Sequence, residues 1–181
     1  MSGAHYFIGI PVAEEVQFYL KEEQRRLSLE NYYKKLPYKD DFHITLLFLG
    51  SWEPRGKLWN AIQQRLTAFR PFQLALDQIG CFGNPTAPRV LFAGVKGGDE
   101  LFDLRRHAAA AAADLDFPLE NRPFRPHITL GKSYRGAGEL PAIVGKTLRP
   151  LTWETAEARL YRVKQGQRPR YETFSKISFP R

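Results

Sequence analysis

The tetrapeptide His-Ile-Thr-Leu occurs twice in this chain of 181 residues, at positions 43–46 and 127–130. Because the chain has only four histidines, a repeat headed by histidine is expected by accident on the order of once in several hundred chains. The offset of 84 residues is close to half the chain and matches a strand-helix-strand pattern in each half. The repeat therefore predicts one motif strand in each of two related lobes.

Alternate residues of a strand share a face, so His43 lies beside Thr45, and His127 lies beside Thr129. If a pseudo-twofold axis relates the lobes, two imidazoles and two hydroxyls meet across a groove. One neutral imidazole can take a proton from water, one protonated imidazole can give a proton to a leaving oxygen, and the hydroxyls can bind phosphate oxygens. We expect Gly131, two residues past Thr129, to leave space beside the ligand.

Hydrophobic periodicity and turn residues predict the other elements. We expect strands at 6–10, 42–49, 72–77, 79–82, 89–95, 127–131, 156–163 and 171–179. We expect helices at 12–29, from 53 to about 69, from an Asp99 cap through 113, and a short one around 142–148. No linker composition separates domains, so we expect a single α+β domain over residues 1–181, made of two intimately packed lobes.

Charge and composition narrow the classes of partner. The net charge is +8 and the isoelectric point is about 9.7, which favours phosphate-rich ligands. Cys81 is the only cysteine, so an intramolecular disulfide and a thiolate zinc site are excluded. No apolar run approaches the roughly 18 to 20 residues that span a bilayer, and the N-terminus lacks signal-peptide features. We expect a cytoplasmic protein without membrane contact.

Four sequence segments, two of which contain the motifs, are distributed along the chain. They read YFIGIP at 6–11, HITLLFLG at 43–50, PRVLFAGV at 88–95 and RPFRPHITLGK at 122–132. Together they resemble the 2H phosphoesterases, named for two His-x-Thr motifs, and within them the bacterial and archaeal RNA 2′,3′-cyclic phosphodiesterases, formerly called 2′,5′ RNA ligases. The resemblance spans most of the chain.

The resemblance implies a bilobal pseudo-twofold α+β fold with an antiparallel-rich sheet in each lobe, helices on the outer faces and a central active-site groove. It also implies hydrolysis of a ribose 2′,3′-cyclic phosphate to a 2′-phosphate, with no metal and no cofactor. In that scheme His127 is the general base that activates water, and His43 is the general acid that protonates the departing 3′-oxygen. Thr45 and Thr129 hold the phosphate oxygens. The family usually has arginine where this chain has Lys132, which keeps the charge but loses the bidentate fork.

Basic and aromatic residues near the motifs are weaker candidates. Arg125 and Lys132 are candidate phosphate contacts within a basic set that also contains Lys34, Lys35, Lys39, Arg122 and Arg135. An ordinary solvated basic face explains the same set equally well. Among the aromatic residues, either base stacking or simple packing explains Trp52, Phe82 and Tyr134.

The sequence leaves three classes of function open. The first is a monomeric, metal-independent phosphodiesterase acting on RNA ends or cyclic nucleotides. No His-x-x-x-His pair and no Gly-rich phosphate loop is present, so neither metal catalysis nor ATP is indicated. The second class is a noncatalytic RNA- or nucleotide-binding module, and the third is another 2H reaction such as cleavage or joining of 2′,5′ linkages. Both histidines being present favours the enzyme, since binding alone needs no paired acid and base.

Overall fold

The structure, a computed structural model, describes residues 3–53 and 55–181. The strands in these ranges are β1 (Tyr6–Pro11), β2 (Tyr33–Lys35), β3 (His43–Gly50), β4 (Phe72–Phe82), β5 (Val90–Lys96), β6 (His127–Tyr134), β7 (Thr152–Thr155), β8 (Glu157–Val163) and β9 (Tyr171–Ser178). The helices are α1 (Glu14–Arg26), α2 (Arg55–Leu66) and α3 (Gly98–Ala113). No helix in the described ranges is long and apolar enough to cross a membrane.

The strands form two antiparallel sheets. The first has the order β3-β1-β8-β9, and the second has the order β2-β6-β5-β4-β7. The two motif strands, β3 and β6, therefore belong to different sheets and pack against each other. This arrangement confirms the α+β fold with one motif in each lobe. The lobes are not sequence halves, because the C-terminal hairpin β8–β9 completes the first sheet and β2 joins the second.

The helices pack on the sheets through apolar faces and a few buried polar contacts. In α1, the buried Gln24 donates a hydrogen bond from Nε2 to the carbonyl of Leu130 in β6, at 2.9 Å. In α2, Trp59 Nε1 donates to Ser175 Oγ of β9, also at 2.9 Å. Helix α3 packs against α2 and β3. These contacts fix the helices to the two sheets, and the hydrophobic core contains residues of both sheets and of all three helices.

Several predicted boundaries need correction. The two strands expected at 72–77 and 79–82 are one strand, β4, with a register irregularity between Leu76 and Ile79. Asp99 does not cap α3: the N-cap is Gly97, and Asp99 lies in the first turn, where its charge faces the positive helix end. Helix α2 ends at Leu66, earlier than the expected end near residue 69, and Pro54, which falls within the expected helix, lies outside the described residues.

The short helix predicted around 142–148 is wrong. This segment instead runs beside β4, where Gly145 N–H donates to the Ile79 carbonyl at 2.7 Å and Leu148 N–H donates to the Asp77 carbonyl at 2.9 Å. Gly145 has a φ of 90°, which ends any right-handed helix at that point. Backbone pairing with a strand edge therefore outweighs the weak helical pattern of the segment.

Candidate active site

A bulge in each motif strand decides which side chains face the groove. In β3, Leu47 pairs with Ile8 and Thr45 with Gly9, so Leu46 is an extra residue. In β6, the corresponding extra residue is Leu130. A bulge shifts the in-out alternation by one residue beyond it. The side chains five residues after each motif histidine are thereby turned back to the face that the histidine occupies.

The bulges place Phe48 and Lys132 in equivalent positions, 84 residues apart. Both line the groove together with the two motif threonines. The expected open space beside Gly131 is wrong. A Cβ at Gly131 would lie 2.8 Å from the ring of Tyr33, so this glycine allows that ring to pack closely instead. Lys132, one residue further along the strand, lines the groove instead.

Each motif histidine is held by the backbone carbonyl two residues before it. The Nδ1 atom of His43 lies 2.8 Å from the Asp41 carbonyl, and that of His127 lies 2.7 Å from the Arg125 carbonyl. Since a carbonyl oxygen only accepts, Nδ1 carries the proton in both rings. The neutral form of each histidine therefore has its lone pair on Nε2. This tautomer is the one that a general base on the Nε2 side requires.

Aromatic rings enclose His43. Its ring centroid lies 4.6 Å from that of Phe7 and 5.0 Å from that of Tyr171, which meets it edge-on. Desolvation lowers the pKa of His43 to about 4, with the nearby His127 and Lys132 adding smaller effects and the Asp41 carbonyl opposing them. Thr45 Oγ1 lies 2.9 Å from Nε2 and donates to it when the ring is neutral. The ligand-free groove thus holds His43 in its uncharged form at neutral pH.

His127 has a similar but more open setting. Phe82 meets its ring edge-on at 5.1 Å, and Phe92 lies at 5.0 Å. Burial lowers its pKa, and the Arg125 charge lowers it further, while the hydrogen bond to the Arg125 carbonyl works in the opposite direction. Among the described residues, Nε2 of His127 has no hydrogen-bond partner. Its lone pair is therefore free to accept a proton from a water in the groove.

The groove consists of two cavities that meet at Thr45, Thr129 and Phe48. His43 lines the smaller cavity, of about 270 Å³, and His127 lines the larger, of about 460 Å³. The shared hydroxyls consequently lie between the two imidazoles. The structure brings all four predicted motif side chains to one groove.

The larger cavity is aromatic and basic. Arg125 stacks on Phe92 and Phe82, with its guanidinium carbon 4.9 Å and 5.8 Å from their ring centroids. The half-buried Arg105 lies 5.7 Å from the ring centroid of Phe124, and burial lowers its pKa. These flat cations and rings present surfaces on which a base or a ribose can stack.

Lys132 lies in the smaller cavity. Burial lowers its pKa, and the charges of Arg170 and Lys35 lower it further. A lysine that is crowded by two other cations favours an anionic ligand. The position is therefore compatible with the phosphate contact that the sequence predicts.

The remaining candidates are dispersed. Arg122 also borders the larger cavity, as does Phe82 among the aromatic candidates. Trp52 packs on Phe117 and Tyr134 packs on Tyr33, and neither residue lines either cavity of the groove. Away from the groove, the Lys39 ammonium lies near the carboxylates of Glu14 and Asp40, and Arg135 donates to the Tyr33 carbonyl.

Sequence reasoning missed three residues of the groove. Phe48 was detectable, since it stands 84 residues before Lys132 in the repeated motif. Asp41 and Arg170 were not, because their contact joins residues 129 positions apart. In the described part of the chain, no group of three or more histidine, cysteine, aspartate or glutamate side chains is arranged to hold a metal ion.

Comparison with known proteins identifies relatives of this chain. The model of the 2′-5′ RNA ligase superfamily matches residues 15–167. A Geobacillus stearothermophilus protein named RNA 2′,3′-cyclic phosphodiesterase is 34% identical over 185 residues, covering 99% of this chain and 58% of that protein. The chain thus spans little more than half the length of this relative. A Bacillus subtilis protein of the same name is 29% identical, covering 96% of this chain and 95% of the relative.

The fold has a close match among solved structures. The crystal structure of the Thermus thermophilus protein TT0787 superposes with a TM-score of 0.79 and 29% sequence identity, covering 97% of each chain. The similarity extends over both sheets, since almost the whole chain is matched.

Proposed function

The chain belongs to the 2′-5′ RNA ligase superfamily, and on that premise we propose that it hydrolyses ribose 2′,3′-cyclic phosphates at RNA ends to 2′-phosphates without a metal. The observation that carries the proposal is the pair of histidines, each with its Nδ1 proton fixed by a backbone carbonyl and its Nε2 side in one groove. Both named relatives are called RNA 2′,3′-cyclic phosphodiesterase.

In the proposed reaction, His127 Nε2 takes a proton from a water molecule as the water oxygen bonds to phosphorus. The bond from phosphorus to the 3′-oxygen breaks, and protonated His43 gives its Nε2 proton to that oxygen. The hydroxyls of Thr45 and Thr129 donate to the non-bridging oxygens, whose negative charge grows in the transition state. After release, His127 loses its proton to solvent and His43 regains one, which resets the pair.

The general acid, His43, gains its proton when the substrate binds. With a pKa of about 4, His43 is neutral in the free groove at pH 7. A phosphodiester anion beside the ring favours the imidazolium form and raises this pKa. The Asp41 carbonyl accepts the Nδ1 proton in both states, so the ring keeps its orientation while Nε2 gains its proton. Thr45 is then released from His43 and is free to bind a phosphate oxygen.

RNA fits the larger cavity on charge and shape. Of the charged side chains lining it, four are arginines and one is the carboxylate of Glu120, which pairs with Arg122. Guanidinium groups bind phosphates, and the rings of Phe48 and Phe124 offer faces for stacking. Phe48 is 58% exposed although it is a large apolar side chain at the centre of the groove. We infer that the nucleosides of the substrate contact this wall.

A direct assay separates this function from the alternatives. The purified protein is incubated in EDTA with an RNA that ends in a 2′,3′-cyclic phosphate, and the terminal group is identified by mass spectrometry and phosphatase sensitivity. We expect a 2′-phosphomonoester. A cyclic end that stays intact while the RNA binds supports the noncatalytic module. A longer RNA containing a 2′,5′ linkage, formed when a second RNA with a 5′-hydroxyl is added, supports joining. The His127→Ala variant is the control for contaminating nucleases.

A further inference from the structure

Arg170, the residue immediately before β9, is anchored by a buried carboxylate from a distant part of the chain. Its backbone N–H lies 2.9 Å from each carboxylate oxygen of Asp41, and the N–H of Tyr171 lies 3.0 Å from one of them. Asp41 is 3% exposed. The same residue accepts the Nδ1 proton of His43 through its backbone carbonyl. Asp41 therefore fixes both a motif histidine and the backbone of Arg170 and Tyr171, where β9 begins.

The side chain of Arg170 lines the smaller cavity with Lys132 and the two motif threonines. Its Nε atom is buried and has no hydrogen-bond partner among the described residues. Within the same residues, neither Arg170 nor Lys132 forms an ion pair with a carboxylate. The Asp41 carboxylate is occupied by backbone N–H groups instead.

Two cations without a counter-ion in a partly desolvated cavity are costly unless an anion binds there. Arginine presents five donors in a fork that matches phosphate geometry, whereas lysine acts as a point charge. The two side chains therefore complement each other around one phosphate group. The burial of Lys132, which lowers its pKa together with the charges of Arg170 and Lys35, indicates the same crowding of positive charge.

We propose that Arg170 is a phosphate-binding residue that acts with Lys132, and that this pair selects a phosphomonoester dianion over a phosphodiester monoanion. The proposal rests on the proposed function for the identity of the natural ligand, a nucleotide 2′-phosphate. A cyclic phosphodiester carries one negative charge, while a phosphomonoester carries about 1.5 to 2 at pH 7. The groove consequently holds the product more tightly than the substrate. Asp41 is the positioning residue for Arg170.

Binding of small anions tests the proposal without any turnover. Inorganic phosphate and dimethyl phosphate are titrated into the protein at fixed pH and ionic strength, and backbone amide shifts are followed by NMR. We expect phosphate to bind more tightly than dimethyl phosphate in the wild type. Arg170→Gln should weaken phosphate binding by about tenfold or more, as expected for loss of a charged hydrogen bond. The phosphate affinity of Arg170→Lys should lie between that of the wild type and that of Arg170→Gln.

The matched control is Arg168→Gln, on the same hairpin. Arg168 is exposed and its guanidinium stacks on Tyr38, 4.8 Å from the ring centroid, without lining either cavity. We expect its phosphate affinity to stay within about twofold of the wild type, because only general surface charge is lost. Equal effects of the two substitutions, or unchanged binding in Arg170→Gln, would overturn the assignment. So would equal wild-type affinity for the two anions.

A double-mutant cycle tests the role of Asp41. If Asp41 acts through Arg170, Asp41→Asn should weaken phosphate binding, and the double variant with Arg170→Gln should bind no more weakly than Arg170→Gln alone. Additive losses would contradict the positioning role. Amide spectra of each variant verify the fold. If phosphate binding depends on Arg170 but RNA cyclic ends are left intact, the proposed function fails while the phosphate site stands.

Discussion

Phe48 and Lys132 occupy the same position of two related strands, one with a ring and the other with a charge. Each follows a bulged leucine, and each is turned into the groove by that bulge. The pseudo-twofold repeat supplies matching histidines and threonines, but this pair breaks the symmetry. The groove therefore has an apolar ring at one of these positions and, at the other, a lysine that lines the smaller cavity together with Arg170. The two equivalent positions of the pseudo-symmetric fold thus present different chemistry to the groove.

The platform role of Phe48 predicts a specific kinetic defect. Phe48→Ala should raise KM for an RNA cyclic phosphate far more than it lowers kcat, because stacking on an aromatic ring contributes about 1–3 kcal/mol per base. Steady-state kinetics measure both constants. Phe174→Ala is the control, since Phe174 is 56% exposed and lines neither cavity. A pure kcat defect in Phe48→Ala would contradict stacking.

The two threonines should matter through their hydroxyls. Thr45→Ala and Thr129→Ala each remove one donor to the phosphate, so each should cost on the order of 2 to 4 kcal/mol of transition-state stabilisation at most. Thr→Ser at either position should retain most activity. The measurement is kcat/KM for all four variants. If serine variants were as impaired as alanine variants, packing in the strands would explain the loss better than hydrogen bonding.

The lowered histidine pKa values predict an acid-shifted profile for the free enzyme. His43 has a pKa of about 4, and burial lowers the pKa of His127 below its ordinary value of 6.5. The pH profile of kcat/KM reports the pKa values of the free enzyme. Its bell-shaped curve should therefore have an alkaline limb whose midpoint lies below pH 6.5. The kcat profile should lie at higher pH, because bound phosphate favours the charged imidazole. An NMR titration giving His43 an ordinary pKa in the free protein would refute this explanation.

Salt dependence tests whether the basic wall of the larger cavity extends the RNA contact. At subsaturating concentration, kcat/KM for an oligonucleotide should fall steeply with added salt, while that for a cyclic mononucleotide should respond weakly. Arg125→Ala should reduce the oligonucleotide's log–log salt slope by about 0.7, the value for one phosphate contact on a single strand. The control is Arg106→Ala, an exposed arginine that pairs with Asp103. Equal slopes for both substrates would favour small nucleotides instead.

The repeated motif was sufficient to predict which four side chains meet in the groove, but not the shape of the groove. Alternation along a strand places His43 beside Thr45 correctly, because local geometry fixes it. That rule does not predict the bulges, because they arise from pairing with β1 and β5. For this reason the open space expected beside Gly131 was wrong. Likewise β2 has only three residues and forms through its partner β6. The contact of Asp41 with Arg170 depends on the C-terminal hairpin joining the first sheet, which no local pattern encodes.

The fold class was predictable for a related reason. Long periodic segments such as α1 and α3 bury apolar faces wherever they pack, so their existence follows from spacing. The segment around Gly145 shows the limit of this reasoning. Its helical pattern is short, and hydrogen bonds to β4 determine its conformation. The single-domain extent over 1–181 stays a prediction.

The central claim is that His43 and His127 act as a paired acid and base on one phosphate. The most direct measurement is kcat/KM on a cyclic phosphate, in EDTA, for His43→Ala, His127→Ala and the double variant. Each single change should lower the rate by about 10² to 10⁴-fold with the fold intact, and the double variant should be little worse than either, because the two act as a unit. His107→Ala, an exposed helix histidine beside Phe69, should be unaffected. Near-wild-type turnover in either single variant would contradict the mechanism.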